Sequence, residues 1–220
     1  MKQCLIFLFV LVTMFSCKKS DPPPYFGYEY FGLTEGRYVS YEVMEISHDI
    51  DSDTLRYMLK TVVGEDIMDS EGRTAKKIYR YAYDWETGSL IDERVWTSII
   101  DQGRGEVVEE NQRKIRMVFA ISIDKTWDVN AFIPEEEQEV FYEDINSPYS
   151  INNFYVDSSV RVEYEDFFSL VDYRRKYEVY GKEIGLIHRS FKDLTISNFD
   201  TTDIQNGTEL HYTLHDFGVE

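Results

Sequence analysis

From Arg37 to Asp216, apolar and polar residues alternate with a period of two, and this constrains the fold more than any other feature of the chain. Val39, Tyr41 and Val43 alternate with Ser40 and Glu42. Leu55, Tyr57, Leu59, Thr61 and Val63 alternate with Arg56 and Lys60. Ile115, Met117, Phe119 and Ile121 alternate with Lys114, Arg116 and Ser122. Val160, Val162 and Tyr164 behave likewise, as do Leu210, Tyr212 and Leu214. A strand sends successive side chains to opposite faces, so such runs give one buried face and one wet face, as in antiparallel sheets. Turn-forming clusters punctuate them: Ser70-Glu71-Gly72, Thr87-Gly88-Ser89, Gln102-Gly103-Arg104-Gly105, Ser147-Pro148 and Asn206-Gly207. The expected fold is all-β, a single antiparallel meander of about 11–13 strands curled into a barrel, half-barrel or sandwich. Asp166 to Tyr173 leaves room for one short helical turn, with Phe167, Leu170 and Val171 at helical spacing. Tyr25 to Thr34 reads as a packed irregular arm. The triplet Tyr41-Glu42-Val43 recurs as Tyr177-Glu178-Val179, a weak sign of internal duplication.

The N-terminus reads differently. Lys2 precedes a run from Cys4 to Phe15 that only Thr13 interrupts. Roughly 12 residues suit the apolar core of a signal peptide, whereas a span takes roughly 20. Met14-Phe15-Ser16-Cys17 resembles a bacterial lipobox, in which cleavage precedes a cysteine that is then acylated. Residues 1–16 are thus expected to be a lipoprotein signal peptide, 17–24 the lipidated Cys17 with a Pro-rich tether, and 25–220 a single β-rich domain. The other reading is an ordinary cleaved signal followed by a free thiol. Pro22-Pro23-Pro24 favours a stiff, extended spacer. Cysteine usage fits acylation: the chain has 2, Cys4 and Cys17. Cleavage removes the first and acylation consumes the second, leaving a domain without disulfides.

The lipobox, the strand Gly36-Arg37-Tyr38-Val39-Ser40-Tyr41-Glu42-Val43 and the late segment Tyr180-Gly181-Lys182-Glu183-Ile184-Gly185-Leu186-Ile187 together resemble a group of Bacteroidetes outer-membrane lipoproteins. These pair an early aromatic strand with a late glycine-bearing hairpin. Ile184 and Ile187 stand where the group more often has Val. The resemblance implies an envelope location and an all-β fold, and it carries over no catalytic residue.

Charge narrows the partners. Asp and Glu total 41 against 23 Lys and Arg, a net charge of −18. A nucleic-acid binder needs a basic face, so no nucleic-acid partner is expected. With 17 Tyr, 14 Phe and 3 Trp the chain is too aromatic for a disordered acidic tail.

Candidate chemistry is sparse. Tyr79, Tyr81, Tyr83 and Trp85 occupy alternate positions and would share one face of a strand. Such a row can stack sugar rings or apolar ligands, and it is the speculative ligand-binding site. The competing reading makes it the buried face of that strand, with Arg80 and Lys76 on the wet side. Asp49-Ile50-Asp51-Ser52-Asp53 opens like a calcium loop, but Thr54 and Lys60 fill the places that require Gly and Glu, so a hairpin loop is expected. His211 and His215 on a strand would lie about 13 Å apart, too far for one ion, so no metal site is expected. The basic islands Tyr173-Arg174-Arg175-Lys176-Tyr177 and Arg113-Lys114-Ile115-Arg116 are expected to pair with acids on neighbouring strands. Nucleophile motifs are absent from the sequence, so neither catalysis nor a cofactor is expected.

The sequence therefore predicts a non-enzymatic lipoprotein, anchored to the outer membrane through its N-terminal lipid. Its β-domain would bind a partner protein, a glycan or an apolar ligand, facing either the periplasm or the cell surface. The alternative is a periplasmic carrier or chaperone for lipids or outer-membrane proteins, with a half-barrel cavity.

Overall fold

The computed structural model describes residues 25–49 and 52–220. Cys17 and the tether lie outside them, as do Ile50 and Asp51 of the acidic loop. The strands are β1 (Arg37–Ser47), β2 (Asp53–Met68), β3 (Thr74–Asp84), β4 (Leu90–Asp101), β5 (Arg104–Glu109), β6 (Gln112–Val118), β7 (Thr126–Asp128), β8 (Glu139–Ile151), β9 (Phe154–Phe168), β10 (Asp172–Gly181), β11 (Gly185–Ser197) and β12 (Asp200–Val219). They form one 12-stranded sheet in the order β6-β5-β4-β3-β2-β1-β12-β11-β10-β9-β8-β7, and every pairing is antiparallel. The expected all-β meander is present. First and last strands meet at its centre, with Tyr41 opposite Leu214 and Val43 opposite Tyr212.

The sheet curls until its two edges nearly close a barrel. Among the described residues no ladder pairs β6 with β7, and backbone and side-chain bonds to flanking residues seal the seam instead. Ile115 N–H donates to the Val129 carbonyl at 3.0 Å. Trp127 Nε1 donates to the Ile115 carbonyl at 3.0 Å. The buried Tyr142 hydroxyl accepts from Val118 N–H at 2.9 Å and donates to the Val118 carbonyl at 2.8 Å. Backbone groups that an open edge would expose are thereby satisfied, which keeps the edges from pairing with other chains.

Alternate turns of a meander lie at alternate ends, so the barrel has two distinct ends. One holds the β2–β3, β4–β5 and β10–β11 turns and the first described residues. The arm expected at Tyr25–Thr34 lies across this end, with a 3₁₀ turn at Tyr28–Tyr30. Phe26 accepts from Ile121 N–H, Glu29 accepts from Glu183 N–H, and Tyr28 and Phe31 meet Phe119 edge-on. Tyr30 is 0 % exposed. Gly32 at φ +66° is required here, because a Cβ would stand 2.8 Å from the Ile184 carbonyl oxygen.

Four local expectations are corrected. Asp166 to Tyr173 is not helical: β9 runs to Phe168 and β10 starts at Asp172, with the Ser169 hydroxyl accepting from the Asp172 amide in the turn. Ser147-Pro148 lies inside β8, where the ladder to β9 slips register. Proline cannot donate to a ladder, so it settles at such an irregularity. Asn206-Gly207 lies inside β12, and the β11–β12 turn is at Asn198-Phe199, both at positive φ. Gly207 takes φ +128° with Asp193 O only 2.2 Å from a would-be Cβ. Its glycine thus serves a close approach of the β11 backbone instead of a turn. The repeated triplet is out of phase as well: Glu42 reaches the partly exposed Arg56, whereas Glu178 is fully buried.

Candidate functional site

Charged residues occupy the barrel interior. Glu178 on β10 is 0 % exposed. Its carboxylate accepts from Arg189 Nε at 2.7 Å, Tyr164 Oη at 3.0 Å and Tyr180 Oη at 2.6 Å. Arg116 of β6 lies 3.5 Å from it and bonds Glu109 of β5 through Nη2 at 2.5 Å and Nε at 3.1 Å. Burial alone would raise the Glu178 carboxyl. The Arg189 and Arg116 charges and the hydrogen bonds outweigh that and hold it at about 2. The network ties β5, β6, β9, β10 and β11 together across the interior.

Beside it lies a cavity of about 130 Å³, lined by Arg37, Arg80, Arg116, Arg189 and one acid, Glu109, with Phe31 and Leu33 of the arm at its closed end. A wider vestibule of about 440 Å³ opens at the opposite end, between Glu45, Leu55, Ile91 and Arg94. Arg80, Trp96, Glu109, Arg189 and Tyr212 line both spaces. The arm therefore packs across the end where the described chain enters, and the vestibule lies at the other end. Half-exposed Phe167, Phe168, Leu170, Val171 and Phe199 crown the neighbouring β9–β10 and β11–β12 turns at that open end.

The aromatic row is not where the burial reading puts it. Arg80 lines the cavity, while Tyr79, Tyr81 and Tyr83 point outward and remain partly exposed. Tyr79 and Tyr81 stack at 6.4 Å, and Tyr79 donates to Glu65 at 3.0 Å. Trp85 follows β3 in its turn, with the Arg56 guanidinium 3.5 Å above its ring. The row stands as a half-exposed outer stripe. Its phase is reversed because Arg80 packs on Trp96 at 3.6 Å, where a guanidinium lies comfortably against an indole.

The remaining candidates are structural in their surroundings. Glu209 receives Lys192 at 2.7 Å, His48 at 2.9 Å and His211 at 3.0 Å. Among the described residues no group of three or more His, Cys, Asp or Glu is placed to hold an ion. The basic island on β10 pairs as expected: Arg174 with Glu165 at 2.9 Å, Lys176 with Asp193 at 2.6 Å, and Arg175 with Asp166. Of the second island, Arg113 meets Glu71 at 2.6 Å and the buried Glu106 at 3.6 Å, while Arg116 joins Glu109 and Glu178 in the interior. The residues that build the interior, Arg80, Trp96, Glu109, Glu178 and Arg189, carry no motif. Their one signal is an ionisable residue in phase with an apolar face.

Glu163 is the strained member of the charged set. It is 2 % exposed. Arg161 Nη2 lies 2.7 Å away, but neither atom meets hydrogen-bond geometry. Burial raises this carboxyl to about 7, against the weaker pull of Arg161 and Arg175. A carboxyl raised in the fold binds its proton more tightly there than in the unfolded chain. The cost of ionising it sets in as pH rises past about 4.5 and is complete above about 7. Glu163→Gln is expected to raise the thermal midpoint at pH 8 by roughly 2–4 °C, the shift that about 1 kcal/mol gives a chain of this size. At pH 5 it should leave the midpoint in place. Equal gains at both pH values would refute this.

No protein-family model and no curated protein matches the chain significantly. A crystal structure of a "putative lipoprotein" from Parabacteroides distasonis ATCC 8503 is similar to it, at 10 % sequence identity and a TM-score of 0.39, covering 86 % of this chain and 98 % of that one.

Proposed function

We propose that this chain is a membrane-anchored, non-enzymatic binding lipoprotein that takes its ligand at the open end of the barrel. One observation carries the reading: the Tyr25–Leu33 arm packs across one end of the barrel, with Phe31, Gly32 and Leu33 on the cavity wall, and a wider vestibule lies at the other end. The described chain starts at the stoppered end, so a lipid on Cys17 would leave the mouth facing away from the bilayer. The apolar crown beside the mouth adds contact surface for a larger partner. The carrier reading fares worse. Ligand pockets run to about 300–1,000 Å³, whereas the inner cavity is about 130 Å³ and its largely apolar wall is interrupted by four arginines and Glu109.

Two measurements test this. Labelled palmitate should be incorporated by the wild-type chain in its native cells and not by Cys17→Ser; label on both would end the anchor assignment. Native mass spectrometry of the detergent-solubilised chain should show a discrete adduct that denaturation removes. Ala82→Trp, which fills the vestibule that Ala82 lines, should abolish it. A bare wild-type mass, or an adduct that survives Ala82→Trp, counts against the mouth as the site.

A further inference from the structure

We infer that the barrel mouth binds a small carboxylate-bearing ligand, its acid group seated against Arg80. This rests on the proposed reading of the mouth as a binding site and names the chemistry it selects. The argument starts from charge pairing. The chain carries a net charge of −18, and acids are plentiful everywhere on it. Yet the inner cavity is lined by four arginines, Arg37, Arg80, Arg116 and Arg189, and one glutamate, Glu109. Each carboxylate within reach is already engaged. Glu178 holds Arg189 and Arg116. Glu109 holds Arg116. Arg37 leans toward Glu183 at 3.5 Å, with its Nε buried and unpartnered.

Arg80 is left over. No acid lies within salt-bridge distance of it among the described residues. Its contacts are the Trp96 ring at 3.6 Å and a long bond of 3.5 Å to the Tyr212 hydroxyl. Directly across the ladder stands Arg94, itself held by Asp92 and Glu110. Like charges opposite one another on a sheet are unfavourable. Among the described residues Arg80 donates only the long bond to Tyr212, so most of its five donors are open to an incoming acceptor. An oxyanion would relieve the like-charge opposition and fill those donors, because a guanidinium is shaped to bond a carboxylate at two points.

Size and surface narrow the ligand. The inner cavity of about 130 Å³ is close to the roughly 150 Å³ that holds benzene, so it has room for a carboxylate head and the first carbons behind it. The vestibule of about 440 Å³ leaves room for a body the size of one sugar ring. Trp96 and Tyr57 supply flat faces there. A sugar acid and a short aliphatic diacid share the recognised group, and the test separates them.

The experiment is isothermal titration of the detergent-solubilised full chain with glucuronate, succinate and glucose. Binding of glucuronate and not of glucose is expected. Binding of succinate as well would assign recognition to the carboxylate alone, and its failure would add the ring. Arg80→Met keeps the stacking length and removes the charge. It should weaken acid binding on the order of 10- to 100-fold, the range of a charge-assisted hydrogen bond. Tyr79→Ala, on the outer stripe, should change nothing. Equal binding of glucose and glucuronate would overturn the carboxylate assignment and leave the mouth standing as a site. Failure of both acids to bind the wild-type chain would overturn the inference even if Arg80→Met does not fold, while an adduct lost in Ala82→Trp would still uphold the site.

Discussion

Glu178→Ala is expected to cost the fold about 3–5 kcal/mol, the range for removing one partner of a buried ion pair. Glu178 is the only carboxylate within salt-bridge distance of Arg189 among the described residues. The variant strands a buried guanidinium and leaves the Tyr164 and Tyr180 hydroxyls without their acceptor. Each loss carries a desolvation penalty that nothing nearby offsets. The pH dependence gives a second signature. A carboxyl lowered in the fold to about 2 contributes stability that is fully present above its unfolded value of about 4.5. That contribution falls away as pH drops toward 2. Urea unfolding at pH 7 should therefore show the full gap between wild type and Glu178→Ala, and the gap should narrow by pH 3. Glu178→Gln should fall between them at pH 7, because it keeps the shape and an acceptor oxygen without the charge. A loss under 1 kcal/mol for Glu178→Ala would mean that water reaches Arg189 and that the network is not a structural tie.

The contrast between Glu178 and Glu163 shows what the sequence could reveal. Period-two alternation placed β1, β2, β6, β9 and β12 because one face is apolar over many residues, and that signal survives local irregularity. It failed at Tyr79-Arg80-Tyr81, where both phases hold a large residue with an apolar body. The phase was decided by long-range partners, Trp96 and Tyr212, which no local pattern encodes. Turn residues misled in the same way. Gly207 and Pro148 are strong turn formers, yet both lie within long strands, Pro148 at a register slip and Gly207 where β11 approaches closely, because a barrel must bend its strands as well as join them. The Glu110-Asn111 turn, with both residues at positive φ, lacked the glycine that makes such turns visible. The interior site was the least legible part. Its arginines and glutamates come from β1, β3, β5, β6, β10 and β11 and converge only when the sheet closes.

Tyr30→Ala should be the other costly change, by about 3–5 kcal/mol, as for large aromatic-to-alanine truncations in a core. The arm is short and makes few backbone bonds, so its hold on the barrel is concentrated in side chains. Tyr30 is fully buried among Phe31, Phe119 and Tyr142. Its hydroxyl donates to Asn146 Oδ1 at 2.6 Å and lies 2.7 Å from Ser158 Oγ. Truncation opens a cavity at the closed end and leaves both polar groups unpaired. For a chain of this size each kcal/mol is worth about 2–4 °C, so the midpoint should fall on the order of 10 °C. Tyr30→Phe keeps the ring and should lose about 1 kcal/mol. Tyr28, 42 % exposed, supplies the control, and Tyr28→Ala should cost far less. Hydrogen exchange locates the damage: faster exchange should appear first in β6 and along the Val118–Tyr142 seam, where the arm packs through Phe119. If Tyr30→Ala and Tyr28→Ala cost the same, the arm does not stopper the barrel. The closed end would then be a second entrance, and ligand access could no longer be assigned to the mouth alone.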